Sequence, residues 1–170
     1  MIEKLLPLLG KSIQSEEIKT LFEEWNAVYP RKPYCTPNEP NLKVKVERDC
    51  IRLYFRLGGN SRYMKPIPAH WDGGFIAQFT MMEFTKKRKG GIPFDVEFSM
   101  TPEELTAILG EPVVTNFVGT TTTWRRNLTD KHEFIVSDTG DGDDILRSMT
   151  LTFIYEKDLN SMEEYAQAGL

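Results

Sequence analysis

A chain of 170 residues, 40 % of them hydrophobic and including 10 Phe, 6 Tyr and 3 Trp, has the length of one domain and enough apolar mass to bury a core, which excludes a disordered or low-complexity polypeptide. The formal net charge of −4 argues against a general nucleic-acid binder, and no stretch approaches the roughly 20 consecutive apolar residues of a membrane helix. The apolar run at the start is short, is interrupted by Pro7 and lacks a small-residue cleavage site, so a cytoplasmic protein without a membrane partner is expected.

Residues 2–9 suit a short helix stopped by Gly10, and Ser12 or Ser15 can cap a second helix running to about Asn26. Four prolines between Tyr29 and Pro40 predict an extended loop. Leu42, Val44 and Val46 alternate with charged residues, as do Ile51, Leu53, Phe55 and Leu57, so a hairpin is predicted with its turn near Arg48-Asp49. Beyond Gly58-Gly59-Asn60 comes a loop rich in Pro, Gly and aromatic residues. A strand is then predicted over about 75–84, leading into the basic turn Lys86-Lys87-Arg88-Lys89-Gly90-Gly91. Ile92 to Phe98 reads as a short strand. Thr101-Pro102-Glu103-Glu104 carries a capping box with proline at the first helical position, and Leu109-Gly110 closes that helix before Pro112. Strands are predicted over 113–118, 120–126, 132–137 and 147–155, and Ser161 and Glu164 announce a C-terminal helix. The threonine-rich stretch 120–126 is polar on both faces, a pattern common at sheet edges.

The second and third helices share one design. Ser15-Glu16-Glu17-Ile18 and Thr101-Pro102-Glu103-Glu104-Leu105 each place acidic residues in the first turn, followed by apolar residues at helical spacing: Ile18, Leu21 and Phe22, then Leu105, Ile108 and Leu109. The chain is therefore expected to be a single α+β domain over 1–170. Antiparallel sheet carries short helices packed on one face, and two similar helix-plus-strands units span 1–90 and 91–170.

The motif inventory contains no catalytic signature, and an enzyme is not expected. Cys35 and Cys50 lie 15 positions apart with no second pair, and His70 and His132 have no metal-ligand spacing, so neither zinc nor any other metal or cofactor is expected. The loop Asp138-Thr139-Gly140-Asp141-Gly142-Asp143-Asp144 is rich in carboxylates, but glycine at its third and fifth positions departs from the EF-hand pattern. His70 and Asp72 could orient a base, yet no nucleophile accompanies them. Charge is unevenly distributed. Residues 43–89 hold 11 basic against 4 acidic side chains, and residues 133–164 hold 9 acidic against 2 basic. The acidic segment suits a basic protein cleft and the basic segment suits phosphate.

The stretches Leu8-Leu9-Gly10-Lys11-Ser12 and Pro93-Phe94-Asp95-Val96-Glu97-Phe98-Ser99-Met100-Thr101-Pro102-Glu103-Glu104-Leu105, with the ending Leu109-Gly110-Glu111-Pro112, resemble bacterial immunity proteins of polymorphic toxin systems, including contact-dependent growth inhibition. The Leu-Gly-x-Pro ending is also similar to outer-membrane assembly lipoproteins, whose signal and cysteine the N-terminus lacks. The first resemblance implies a cytoplasmic inhibitor that binds a cognate toxin domain, in many such systems a nuclease, and occludes its active-site cleft. It brings no catalytic residues with it. The acidic residues Asp138, Asp141, Asp143 and Asp144, with Glu133, Glu156 and Asp158 alongside and Trp71 and Tyr63 as aromatic anchors, are the expected contacts with a basic toxin. The competing reading is a nucleic-acid or phosphate-ligand binder using Lys43, Lys45, Arg52, Arg56 and the Lys86 to Lys89 turn.

Overall fold

Alternation of apolar and polar side chains places most of the regular secondary structure in antiparallel strands. A computed structural model of the protein describes residues 1–59, 61–115, 119–140 and 144–154. Three short helices, α1 (Ile2–Leu5), α2 (Glu16–Glu24) and α3 (Pro102–Leu109), accompany ten strands. These are β1 (Tyr34–Cys35), β2 (Val46–Arg48), β3 (Ile51–Arg56), β4 (Ile67–Pro68), β5 (Phe75–Ile76), β6 (Gln78–Phe84), β7 (Val113–Thr115), β8 (Thr121–Asn127), β9 (His132–Thr139) and β10 (Leu146–Phe153). The fold is α+β and mostly sheet.

Local chemistry sets the helix starts. The Ser15 hydroxyl accepts from the Ile18 amide at the head of α2. At α3, Thr101 and Glu104 exchange side-chain and backbone hydrogen bonds in a complete capping box, at 2.8 and 3.2 Å. Neither helix is long enough to be stable alone, so each depends on its buried stripe: Ile18, Leu21 and Phe22 on α2, Leu105 and Leu109 on α3.

The main sheet has seven strands in the order β2-β3-β6-β10-β9-β8-β7, and a small one has the order β1-β5-β4. Among the described residues every strand pairing is antiparallel. In the main sheet, β2, β3 and β6 follow α2, while β7 to β10 follow α3. The two groups meet where β6 pairs with β10. Register puts Leu53, Met82, Leu151 and Phe134 in one row, and Ile51, Phe84, Met149, Val136 and Trp124 in the next. All of these are buried. Both helices cover this face: Phe22 of α2 packs on Phe55 at 5.3 Å between ring centroids, and Thr106 of α3 accepts a hydrogen bond from Trp124 Nε1 at 3.0 Å. Each large apolar side chain so buried contributes about 1.5–3 kcal/mol.

Several elements differ from the sequence expectation. The strand expected from Leu42 narrows to Val46–Arg48, because among the described residues the backbone of 41–44 pairs with β3 by the Asn41–Arg56 bridge and the Leu42 amide on the Phe55 carbonyl rather than by a continuous ladder. The stretch 75–84 divides at Ala77, whose amide donates to the Pro33 carbonyl, so one run of sequence serves two sheets. Ile92 to Phe98 is not a strand. It forms a 3₁₀ turn at Pro93–Asp95, with Phe94 and Asp95 both left-handed (φ 60° and 55°). Arg126 lies over the Phe94 ring at 4.4 Å and donates to the Ile108 carbonyl, joining this turn to the end of α3. The edge expected at 120–126 lies one strand further out, at β7. The predicted C-terminal helix lies outside the described residues, and among the described residues no helix is long and apolar enough to cross a membrane.

Candidate partner-binding surface

Strand alternation that buries one face of the main sheet leaves the other, among the described residues, without a covering helix. Register builds it in rows: Glu47, Arg52, Glu83, Thr150, Ile135 and Arg125 in one, Tyr54, Met81, Thr152, Glu133 and Asn127 in the next, and Ser148, Ser137, Thr123 and Val113 in a third. Beyond the third row stand Leu146, Thr139, Thr121 and Thr115. One half of the face thus carries ion pairs and the other a carpet of small hydroxyls. Thr123 and Ser137 are linked at 3.2 Å, and Thr121 and Thr139 at 3.4 Å.

The ion-paired half is a connected network. Arg52 meets Glu47 at 3.1 Å and Glu83 at 3.4 Å, and the Tyr54 hydroxyl donates to Glu83 at 2.5 Å. Partial burial, and then the hydrogen bond to Glu83, raise the Tyr54 phenol above its ordinary value. The hydroxyl half ends at the β9–β10 turn, where Leu146 is 69 % exposed and Ile145 44 %. Across it Val113, at 53 %, lies on the same face. Exposed apolar side chains among hydroxyls at a sheet corner, beside an acidic turn, have the composition of a protein contact.

The acidic residues separate into two kinds. Asp144 is exposed and stands immediately before Ile145 and Leu146. Asp138, by contrast, is buried on the helix-covered face and takes Arg147 bidentately, with both N–O distances 2.6 Å. The same guanidinium donates to the carbonyls of Phe98 and Met100, fastening the approach to α3 onto the sheet. Glu133 is also buried and pairs with Arg125 at 2.8 Å. The Asp138 and Glu133 carboxylates are therefore engaged within the chain rather than presented outward, and Asp138 is already coordinated by a guanidinium in the place a cation would take. Asp141, Asp143, Glu156 and Asp158 lie outside the described residues. Among the described residues no cluster of three His, Cys, Asp or Glu side chains is placed to hold a metal.

The two aromatic candidates sit elsewhere. The Tyr63 ring stacks on Phe153 (5.8 Å), which stacks in turn on His132 (4.9 Å), and the Tyr63 hydroxyl donates to the Asp130 carbonyl. This stack lies where β9 begins, whereas the acidic turn lies where β9 ends. Eight residues of strand separate the two ends by roughly 25 Å. Burial holds the His132 imidazole below its usual value, against the opposing charge of Asp130. Trp71, 41 % exposed, meets Tyr34 edge-on at 6.0 Å beside the small sheet and covers Gly74, where an added Cβ would fall 2.4 Å from the indole. His70 also packs edge-on against Tyr34, and no hydrogen bond joins it to Asp72 among the described residues.

The basic segment is partly spent on structure. Arg48 caps α2 by donating to the Glu24 carbonyl, and Arg88 donates to the carbonyl of Asp49. Lys43 and Lys45 are exposed on the approach to edge strand β2, while Lys86 shares a cleft of about 300 Å³ with Ile145, Phe98, Met100 and the Asp138–Arg147 pair. The basic and acidic turns thus occupy the same end of the sheet. Neither this nor the open face could be read from spacing alone, because both depend on β6 pairing with β10. Compared with known proteins, the chain matches no family model, no curated protein and no solved structure.

Proposed function

We propose that the protein is an immunity protein that binds a cognate antibacterial toxin domain and occludes its active-site cleft, with the corner of the open face around the β9–β10 turn as the centre of contact. The observation that carries this reading is the exposed Ile145-Leu146 pair, set between the acidic Asp144 and the hydroxyl carpet of β8 and β9. Apolar side chains supply the buried centre of such a contact, short hydroxyls cost little side-chain entropy to order, and the acids steer a basic partner and set its register. Asp141 and Asp143, which lie outside the described residues and closely precede Asp144 in sequence, are assigned to this contact with it. Glu156 and Asp158 are kept as neighbouring candidates, and Trp71 as an anchor for a partner large enough to reach the small sheet.

The test is co-expression with the C-terminal domain of any large secreted protein encoded beside this chain. A stable one-to-one complex and rescued growth are expected. In that complex, replacing Asp141, Asp143 and Asp144 by Asn should weaken binding at least about tenfold and flatten its salt dependence, the signature of lost steering charges. Absence of both complex and rescue would sink the reading. Salt-sensitive retention of the free chain on RNA would favour the nucleic-acid alternative instead.

A further inference from the structure

Three arginines stand on the open face, and two of them have carboxylates of their own: Arg52 lies between Glu47 and Glu83, and Arg125 pairs with Glu133. Arg56 is different. Its guanidinium rests over the Tyr54 ring, 5.0 Å from the centroid, and its Nε–H is buried with no hydrogen-bond acceptor among the described residues. Tyr54 is itself fixed through its hydroxyl to Glu83, so the guanidinium plane sits on a held platform. A buried donor without an acceptor is a standing free-energy cost, which a small shift of the guanidinium toward an acceptor in the adjoining cleft would relieve.

Arg56 lines a cleft of about 220 Å³ between the loop following β3 and the open face. Leu57, Met64, Met81 and Ile135 give it apolar walls, and Thr80 and Thr152 add hydroxyls. Among the described residues its charged lining is Arg56, Arg125 and Glu133, which leaves one net positive charge. We propose that this cleft binds a monocarboxylate carried on a short apolar stem, with Arg56 receiving the carboxylate. A planar guanidinium fork matches a carboxylate, and a single negative charge balances the lining. Glu133 opposes a dianion such as phosphate. The volume accommodates roughly seven water-sized groups, enough for a carboxylate and a few methylenes. A free short-chain acid and a glutamate side chain of a protein share this chemistry. The proposal does not rest on the toxin reading, because it is tested on the isolated full-length chain.

The experiment is a titration of the chain with acetate, propionate and butyrate at constant ionic strength, following by NMR the Arg56 Nε–H resonance and, in every variant, the backbone amide of Thr152, which lines the same cleft. A saturable shift is expected, with affinity rising about fourfold for each methylene added along the series. Arg56→Gln should weaken butyrate binding at least tenfold, whereas Arg31→Gln, at an exposed position outside the cleft, should leave it unchanged. N-acetylglutamate amide in place of butyrate separates the two sources: saturation by both points to a protein side chain, by butyrate alone to a free acid. No saturable shift in the wild-type chain would overturn the proposal, as would equal shifts from chloride or phosphate.

Discussion

At the scale of single residues, one arginine holds two parts of the fold together. Arg147 neutralises Asp138 and satisfies the Phe98 and Met100 carbonyls, with both charged side chains largely buried. Removing one member of such a pair leaves the other charge stranded, so Arg147→Met should cost about 3–5 kcal/mol in chemical denaturation. The double replacement Arg147→Met with Asp138→Leu should recover most of that loss, because a well-packed apolar pair is often no worse than a buried ionic one. If the double variant is no better than the single, the carbonyl contacts rather than the ion pair carry the energy. The same pair shows what one-dimensional reading misses. Asp138 is indistinguishable in sequence from Asp144, yet register places Asp138 opposite Arg147 under the approach to α3, while Asp144, before β10 begins, is exposed.

At the scale of elements, local signals were the legible ones. The capping box of α3, the serine cap of α2 and the period-two alternation of β3, β9 and β10 are each written in a few adjacent residues and are recovered in the fold. Legibility failed where a distant partner decides. Ile92 to Phe98 has strand composition but is bent by contacts with Phe134 and Arg126, and Ala77 is drawn out of its run by Pro33. The β2–β3 turn was located but not its strain. Asp49 and Cys50 both adopt left-handed angles (φ 50° and 61°) in a two-residue connection that ordinarily favours Asp-Gly. Cys50→Gly should therefore stabilise the protein by about 0.5–1 kcal/mol, seen as a higher denaturant midpoint at unchanged slope. A decrease would mean that the half-buried Cys50 side chain contributes more by packing than its backbone costs.

At the scale of the whole molecule, the open face exists because α2 and α3 both pack on the other side of a single seven-stranded sheet. Neither half of the chain announces that arrangement. The candidate site was accordingly half legible: the acidic turn stood out by composition, while the hydroxyl carpet and the Arg56 cleft came from strands far apart in sequence. Central placement of β6 and β10 also predicts where the molecule is most resistant to opening. Amides of 79–84 and 147–152 should exchange with solvent slowest, at rates set by global unfolding, and those of β2 and β7 at the edges fastest. Equal protection across the sheet would indicate that it opens only as one unit.

The β6–β10 seam has a further consequence during synthesis. Thr152 bonds the Thr80 carbonyl across 72 residues of chain, so β6 leaves the ribosome well before its central partner does. At 5–20 residues per second the wait is roughly 4–14 s. Throughout that interval Phe79, Met82 and Phe84 sit in a strand with one bare edge, and the nascent first half is at its most vulnerable to pairing with a neighbouring chain instead of with its own second half.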